Sequence, residues 1–193
     1  MSRFEINDFR LDWLSQLFAA LSGVIDDIHE KLGKVDGYDE TFALEESESI
    51  LGIAFIAAQT YVEGTVADIK AVHGKSKQLK KWDLLALEVK GETFADGVTR
   101  LQLVDAIANY HKHHEAWDDW RVNANNEKTI GILNKSRINK ETEFPCNRAA
   151  ALLWPASNLG EFRYLLNILA DWRERVFREY GSQGNSSLVE EVR

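Results

Sequence analysis

Apolar residues recur at steps of three and four along most of this chain, the period of an amphipathic helix rather than of a strand. Over 8–32, Leu14, Leu17, Phe18, Leu21, Ile25, Ile28 and Leu32 form one such stripe. Asn7 or Asp8 supplies the cap, since a short side-chain oxygen accepts from the unpaired N–H groups of a first turn, and Gly33 stops the helix. A second long helix is predicted over 41–72, with Leu51, Ala54, Phe55, Ala58, Tyr61, Val62, Thr65 and Ile69 on one face and Gly74 at its end. Its small residues Gly52, Ala54, Ala57 and Ala58 allow a neighbouring helix close approach, which suits the centre of a bundle.

Beyond a basic turn at 75–81, a shorter helix runs through Trp82, Leu85 and Val89 to Gly91. A fourth starts where Asp96 can cap and passes through Leu101, Val104, Ile107, Ala108, His111 and Trp117 to about Asp119. The five asparagines at 123, 125, 126, 134 and 139 make 121–146 read as an irregular excursion holding one short helix around 127–133. After Pro155, Asn158 and Glu161 come close to a capping box, and Phe162, Leu165, Leu166, Leu169, Trp172, Val176 and Tyr180 form the stripe of a last helix that Gly181 closes. The polar segment 182–193 is expected to be a disordered tail. The pattern predicts an all-α fold: one domain over 1–181, an elongated antiparallel bundle of four to six helices.

Composition narrows this picture. The 193 residues suffice for one core without staples, and the single cysteine, Cys146, excludes an internal disulfide. The two prolines, Pro145 and Pro155, leave the first two-thirds free of helix breakers. Arg3, Glu5 and Asp8 spoil a secretory leader, and charge interrupts every apolar run well short of a membrane span, so a cytoplasmic location without membrane is expected.

The net charge of -8 argues against non-specific coating of nucleic acid. The charge is uneven, however: residues 1–69 hold 14 acidic and 4 basic side chains, whereas 70–90 hold 6 basic against 2 acidic and 121–148 hold 6 against 3. If the fold joins the two basic stretches, an acidic protein gains a positive surface; the plainer reading is solvated lysines near helix ends.

The chemistry concentrates at 108–117, where Asn109, His111, Lys112, His113 and His114 crowd into three turns. Helical spacing sends His114 after Leu103, Ile107 and Tyr110 toward the core, and His111 after Leu101, Val104 and Ala108. Asn109 and His113, four residues apart, share another face with Gln102 and Ala106. His113 is therefore the candidate proton-transfer group, its alternative being a solvated side chain, while His111 and His114 read as core-edge histidines.

The run Asn109-Tyr110-His111-Lys112-His113, late in a helix of a small helical domain, resembles the motif region of the HEPN (higher eukaryotes and prokaryotes nucleotide-binding) superfamily. Its members are often RNases of toxin–antitoxin, abortive-infection and other phage-defence systems. The family pattern is an arginine, a polar residue, then four to six residues and a histidine. With Asn109 as the polar residue, His113 or His114 takes the histidine position, and the arginine position falls on Ala108. Alanine cannot hold a phosphate, and Arg100 lies two turns or more away, so Lys112 or a basic residue from 70–81 or 121–148 would have to stand in. The resemblance implies metal-independent RNA cleavage, with His113 moving protons and Asn109 positioning it or the phosphate. It also implies a homodimer whose sites face each other, no cofactor, and a cognate antitoxin or defence-system protein as partner. Without the arginine, the same fold would serve as a non-catalytic module binding a protein, nucleotide or RNA.

Three other chemistries have weaker signals in the sequence. Asp26 with His29, His111 with Glu115 and His114 with Asp118 have metal-ligand spacing, but the paired Glu-x-x-His pattern of di-iron bundles is missing, and no metal is expected. Cys146 follows Pro145 with no histidine nearby in the sequence, a poor setting for a nucleophile, and no phosphate-cradling glycine loop occurs. The six tryptophans sit mostly at core spacing; Trp117 and Trp120 could pack or stack on bases.

Overall fold

A computed structural model describes residues 8–73, 79–87, 96–117, 120–154 and 160–180. Among these residues the chain is all-α: α1 (Phe9–Lys31), α2 (Glu40–His73), α3 (Lys81–Leu85), α4 (Arg100–His113), α5 (Glu127–Lys135), α6 (Pro145–Leu153) and α7 (Arg163–Tyr180). One apolar cluster draws on all seven, from Phe18 and Ile25 through Phe55 and Leu84 to Leu133, Ala149 and Trp172.

The long helices follow from their sequence signals. Asp8 caps α1, its carboxylate accepting from the Leu11 N–H at 3.2 Å, while also pairing with Arg173 of α7 and accepting from the Tyr61 hydroxyl. All eight stripe residues of α2 are buried. Its 34 residues span ~51 Å at 1.5 Å per residue. By length and composition α2 is apolar enough to cross a membrane, although charge was expected to break every such run; 56% of that window is buried against its neighbours, as in a core helix.

Other boundaries differ from the pattern. Asp96 does not cap α4: it sits in the left-handed region at φ 51, and Thr99 three residues on makes a full capping box with Gln102. α4 ends at His113, passing into a single 3-10 turn at His114–Ala116, so Trp117 lies beyond the helix. α3 stops at Leu85, and Val89 and Gly91 lie outside the described residues, as do Gly74, Asp119, Asn158, Gly181 and the tail. The excursion contains α5 where a short helix was expected, and its end is the start of α6, which apolar period did not reveal.

α6 owes its start to tertiary structure. Pro145 occupies the first turn, where its missing N–H is no loss, and the flanking Phe144 offers no side-chain cap. Glu48 of α2 replaces that cap: its carboxylate accepts from the N–H groups of Cys146 at 2.7 Å and Asn147 at 2.9 Å and from the Asn147 side-chain amide at 2.8 Å. A negative group is favoured there by the helix dipole as well.

Candidate functional site

Through its first half α4 is largely buried, with Leu101 and Leu103–Ala108 all inaccessible and Arg100 and Gln102 partly exposed. It emerges at Asn109, and its last turn carries His111, Lys112 and His113, cations that suit a helix C-terminus. Here the structure separates residues that the sequence places side by side.

His113 is exposed and lines a cleft of about 400 Å³ with Asn109, Ala116 and Trp117. Asn123, Asn125, Asn126 and Thr129, from the loop before α5 and its first turn, form the opposite wall. That loop builds itself: Asn126 accepts from the Asn123 N–H at 2.7 Å and donates to the Arg121 carbonyl at 3.0 Å, while Asn123 accepts from the Asn125 N–H at 2.8 Å. The described lining holds no Lys, Arg, Asp or Glu. His113 and Asn109 thus share one recess, as their four-residue spacing predicts.

Asn109 also faces inward. Its carbonyl accepts from Gln59 at 3.0 Å, and its amide donates toward Asp105 at 3.4 Å. Gln59 and Asp105 are 5% and 2% exposed, a pair of buried polar side chains that meet between α2 and α4. Gln59 donates to the Asp105 carboxylate at 2.6 Å and accepts from Lys112 at 2.6 Å. Lys81 of α3 closes the network through ion pairs to Asp105 and Glu63. Burial pushes the Lys81 ammonium down, but hydrogen bonds and charge from Asp105 and Glu63 outweigh it and hold the pKa above the usual lysine value. Lys112 is therefore the outer end of a buried chain of polar groups, not a free cation for the cleft.

The other two histidines turn elsewhere. His114, expected toward the core, is exposed: its ring stacks on Tyr110 at 4.9 Å and its Nδ1 lies 3.2 Å from the His111 carbonyl. His111 is half-buried as expected of a core-edge histidine, its ring over Gly52 of α2, where a methyl group would overlap it. Burial lowers its pKa, the neighbouring His114 adds to this, and Glu48 opposes it. The Cys146 Sγ lies 3.8 Å from the His111 Nδ1, a proximity that sequence distance hid. Burial, aided by Glu48, pushes that thiol well above its usual range, so the pair holds no ready thiolate.

Ala108, at the arginine position of the resemblance, is completely buried. The two basic stretches do meet: Lys128 of α5 lies over the Trp82 ring of α3, 5.5 Å from its centroid. Trp117 and Trp120 pack edge-on at 6.2 Å with Tyr110 against both, forming one aromatic cluster beside the cleft. Among the described residues no group of three or more His, Cys, Asp or Glu is placed to hold a metal; Asp118 lies outside them.

Gln59 and Asp105 were not singled out from sequence, yet each carried a signal: Asp105 is the one polar residue in 103–108, and Gln59 with Thr60 interrupts the apolar run 53–62. No family model, curated protein or solved structure matches the chain.

Proposed function

We propose that this chain is a HEPN-like RNA-acting protein that binds RNA at the His113 cleft, and that it is a binding module rather than a nuclease. The observation that carries this reading is the cleft itself, where an exposed imidazole faces a wall of carboxamides with an aromatic cluster alongside. Carboxamides and imidazole donate to and accept from base edges and the ribose 2′-hydroxyl, and aromatic rings stack on splayed bases. Lys128 of α5, held over the Trp82 ring of α3, is the cation this reading assigns to the phosphate backbone of a bound strand.

Binding is favoured over cleavage because the described lining of the recess lacks the positive charge that a scissile phosphate needs. Ala108 is sealed in the core, Lys112 is engaged by Gln59, and Asp105 stands behind Asn109 as a negative group. The nuclease reading keeps one observation of its own: the His113 imidazole is exposed within the cleft, four residues from the polar Asn109. That reading would bring a toxin or phage-defence role and a cognate antitoxin with it.

Fluorescence anisotropy with labelled single-stranded RNA at low salt, run in excess chelator with the RNA recovered on a gel, separates these outcomes. Binding should weaken about fivefold in both His113→Ala and Asn125→Ala, the worth of one ordinary hydrogen bond of ~1 kcal/mol. The RNA should remain intact. Chelator-resistant cleavage lost in His113→Ala would establish the nuclease instead, and a wild-type protein that binds no RNA would remove both.

A further inference from the structure

α1 carries two apolar stripes. Leu14, Phe18, Leu21, Ile25 and Ile28 enter the core, as the period predicts. Leu17, expected among them, turns outward, 40% exposed, and joins Phe9 at 66%, Trp13 at 76% and Val24 at 41% on a second face. On α2, Ile53 is 46% exposed and lies on the same helical row as Ala57 and Thr60, which with Trp13 line a groove of about 790 Å³ between the two helices. Arg10, the charged residue of this lining, is turned onto Asp68 and lies over Gly64. Tryptophan period alone suggested core packing; Trp13 instead projects into solvent.

We propose that this α1–α2 face binds a second copy of the chain around a two-fold axis, each Trp13 entering the partner's groove. Area is the first argument. With full side-chain areas of about 150–250 Å² for large apolar residues, the five exposed side chains offer roughly 500 Å² to a partner. That is the upper range of the largest patch on an ordinary monomer, and with their polar and small neighbours it approaches the ~800 Å² per partner of a standard interface. Shape is the second, since a projecting indole beside an open groove on one surface is self-complementary, as a two-fold contact demands. Charge is the third: a chain of net charge -8 repels its own copy wherever carboxylates meet, and the described groove lining contains none. A membrane occupant would call for lysine and arginine on the flanking surface of α1, which instead bears Asp12, Asp26, Asp27 and Glu30.

This interface is independent of the RNA reading. It lies on α1 and α2 and includes no residue of the His113 cleft, so it departs from the site-to-site dimer that the HEPN resemblance implies. Light scattering or sedimentation over a micromolar concentration series should give the full-length protein twice the chain mass. Trp13→Glu and, separately, Ile53→Glu should give a single-chain mass with an unchanged helical circular dichroism spectrum, while Trp13→Phe and His113→Ala stay dimeric. A wild type of single-chain mass throughout would overturn the proposal, as would a dimer that survives both glutamate variants; either result would assign the groove to another occupant.

Discussion

The two halves of α4 hold polar side chains under opposite conditions. In the first half Asp105 is sealed between α2 and α3, with the residues on either side of it, Leu103, Val104 and Ala106–Ala108, apolar and buried. In the second half, from Asn109 onward, the helix leaves the bundle and its polar groups meet solvent, a cleft, or the start of α6. The same helix thus uses one carboxylate to fix its packing and leaves one imidazole exposed in the cleft. Chemistry belongs at the emergent end because a buried polar group must be fully engaged to be tolerated, and an engaged group has nothing left to offer.

The largest test of that contrast is Asp105→Ala. It takes from the Lys81 ammonium its buried partner and from the Gln59 amide its charged acceptor, so urea unfolding should show a loss of about 3 kcal/mol, the low end for breaking a buried pair because Lys81 keeps Glu63 and Gln59 keeps Asn109. The matching truncation in the emergent half, His113→Ala, should stay within about 0.5 kcal/mol of wild type. Equal losses at the two positions would dissolve the distinction between a structural and an available half.

The emergent half is also fastened from outside, and Glu48→Ala tests how firmly. Three charge-assisted hydrogen bonds to α6 disappear, and two backbone N–H groups lose their cap. A loss of about 2 kcal/mol is expected, with Glu48→Gln intermediate, since its carbonyl oxygen still accepts. If neither variant is measurably destabilised, water caps α6 as well as Glu48 does.

What the sequence could and could not announce follows from the range of each interaction. The stripes of α2 and α7 and the Asp8 cap are local, and the period displays them. The shared recess of Asn109 and His113 is local too, set by a four-residue step. The opposing wall of asparagines, the Gln59–Asp105 contact 46 residues apart and the Glu48–Cys146 contact 98 apart are products of packing that no window of sequence contains. α6 was hidden for a related reason: its apolar run is short, and its cap comes from another helix. Leu17 and Trp13 show a further limit, because a period says that residues share a face without saying what covers it.

Gly52 joins the two halves, since α2 passes close enough there for the His111 ring to rest on bare backbone. Gly52→Ala should gain about 0.5–1 kcal/mol of helix propensity and lose about 1–3 kcal/mol through overpacking, for a net loss of about 1 kcal/mol. A net gain would mean that the ring swings aside freely and that its burial is incidental.

The smallest expected effect is a pH slope from the same ring. Burial places the folded pKa of His111 below its ordinary value of 6.5, so as pH falls below that value the unfolded chain takes up a proton that the folded chain resists. Stability therefore rises with pH across this window, and the contribution of His111, fully present above 6.5, is lost as pH falls toward the folded pKa. Unfolding midpoints measured from pH 7 to 5 should fall more steeply for the wild type than for His111→Gln, which keeps a polar side chain but cannot titrate. In Gly52→Ala, where the ring is pushed toward water, the slope should flatten and the imidazole pKa followed by NMR should climb. Identical slopes in wild type and His111→Gln would mean that the ring is as wet as His113, and that α4 leaves the bundle one turn earlier than its packing indicates.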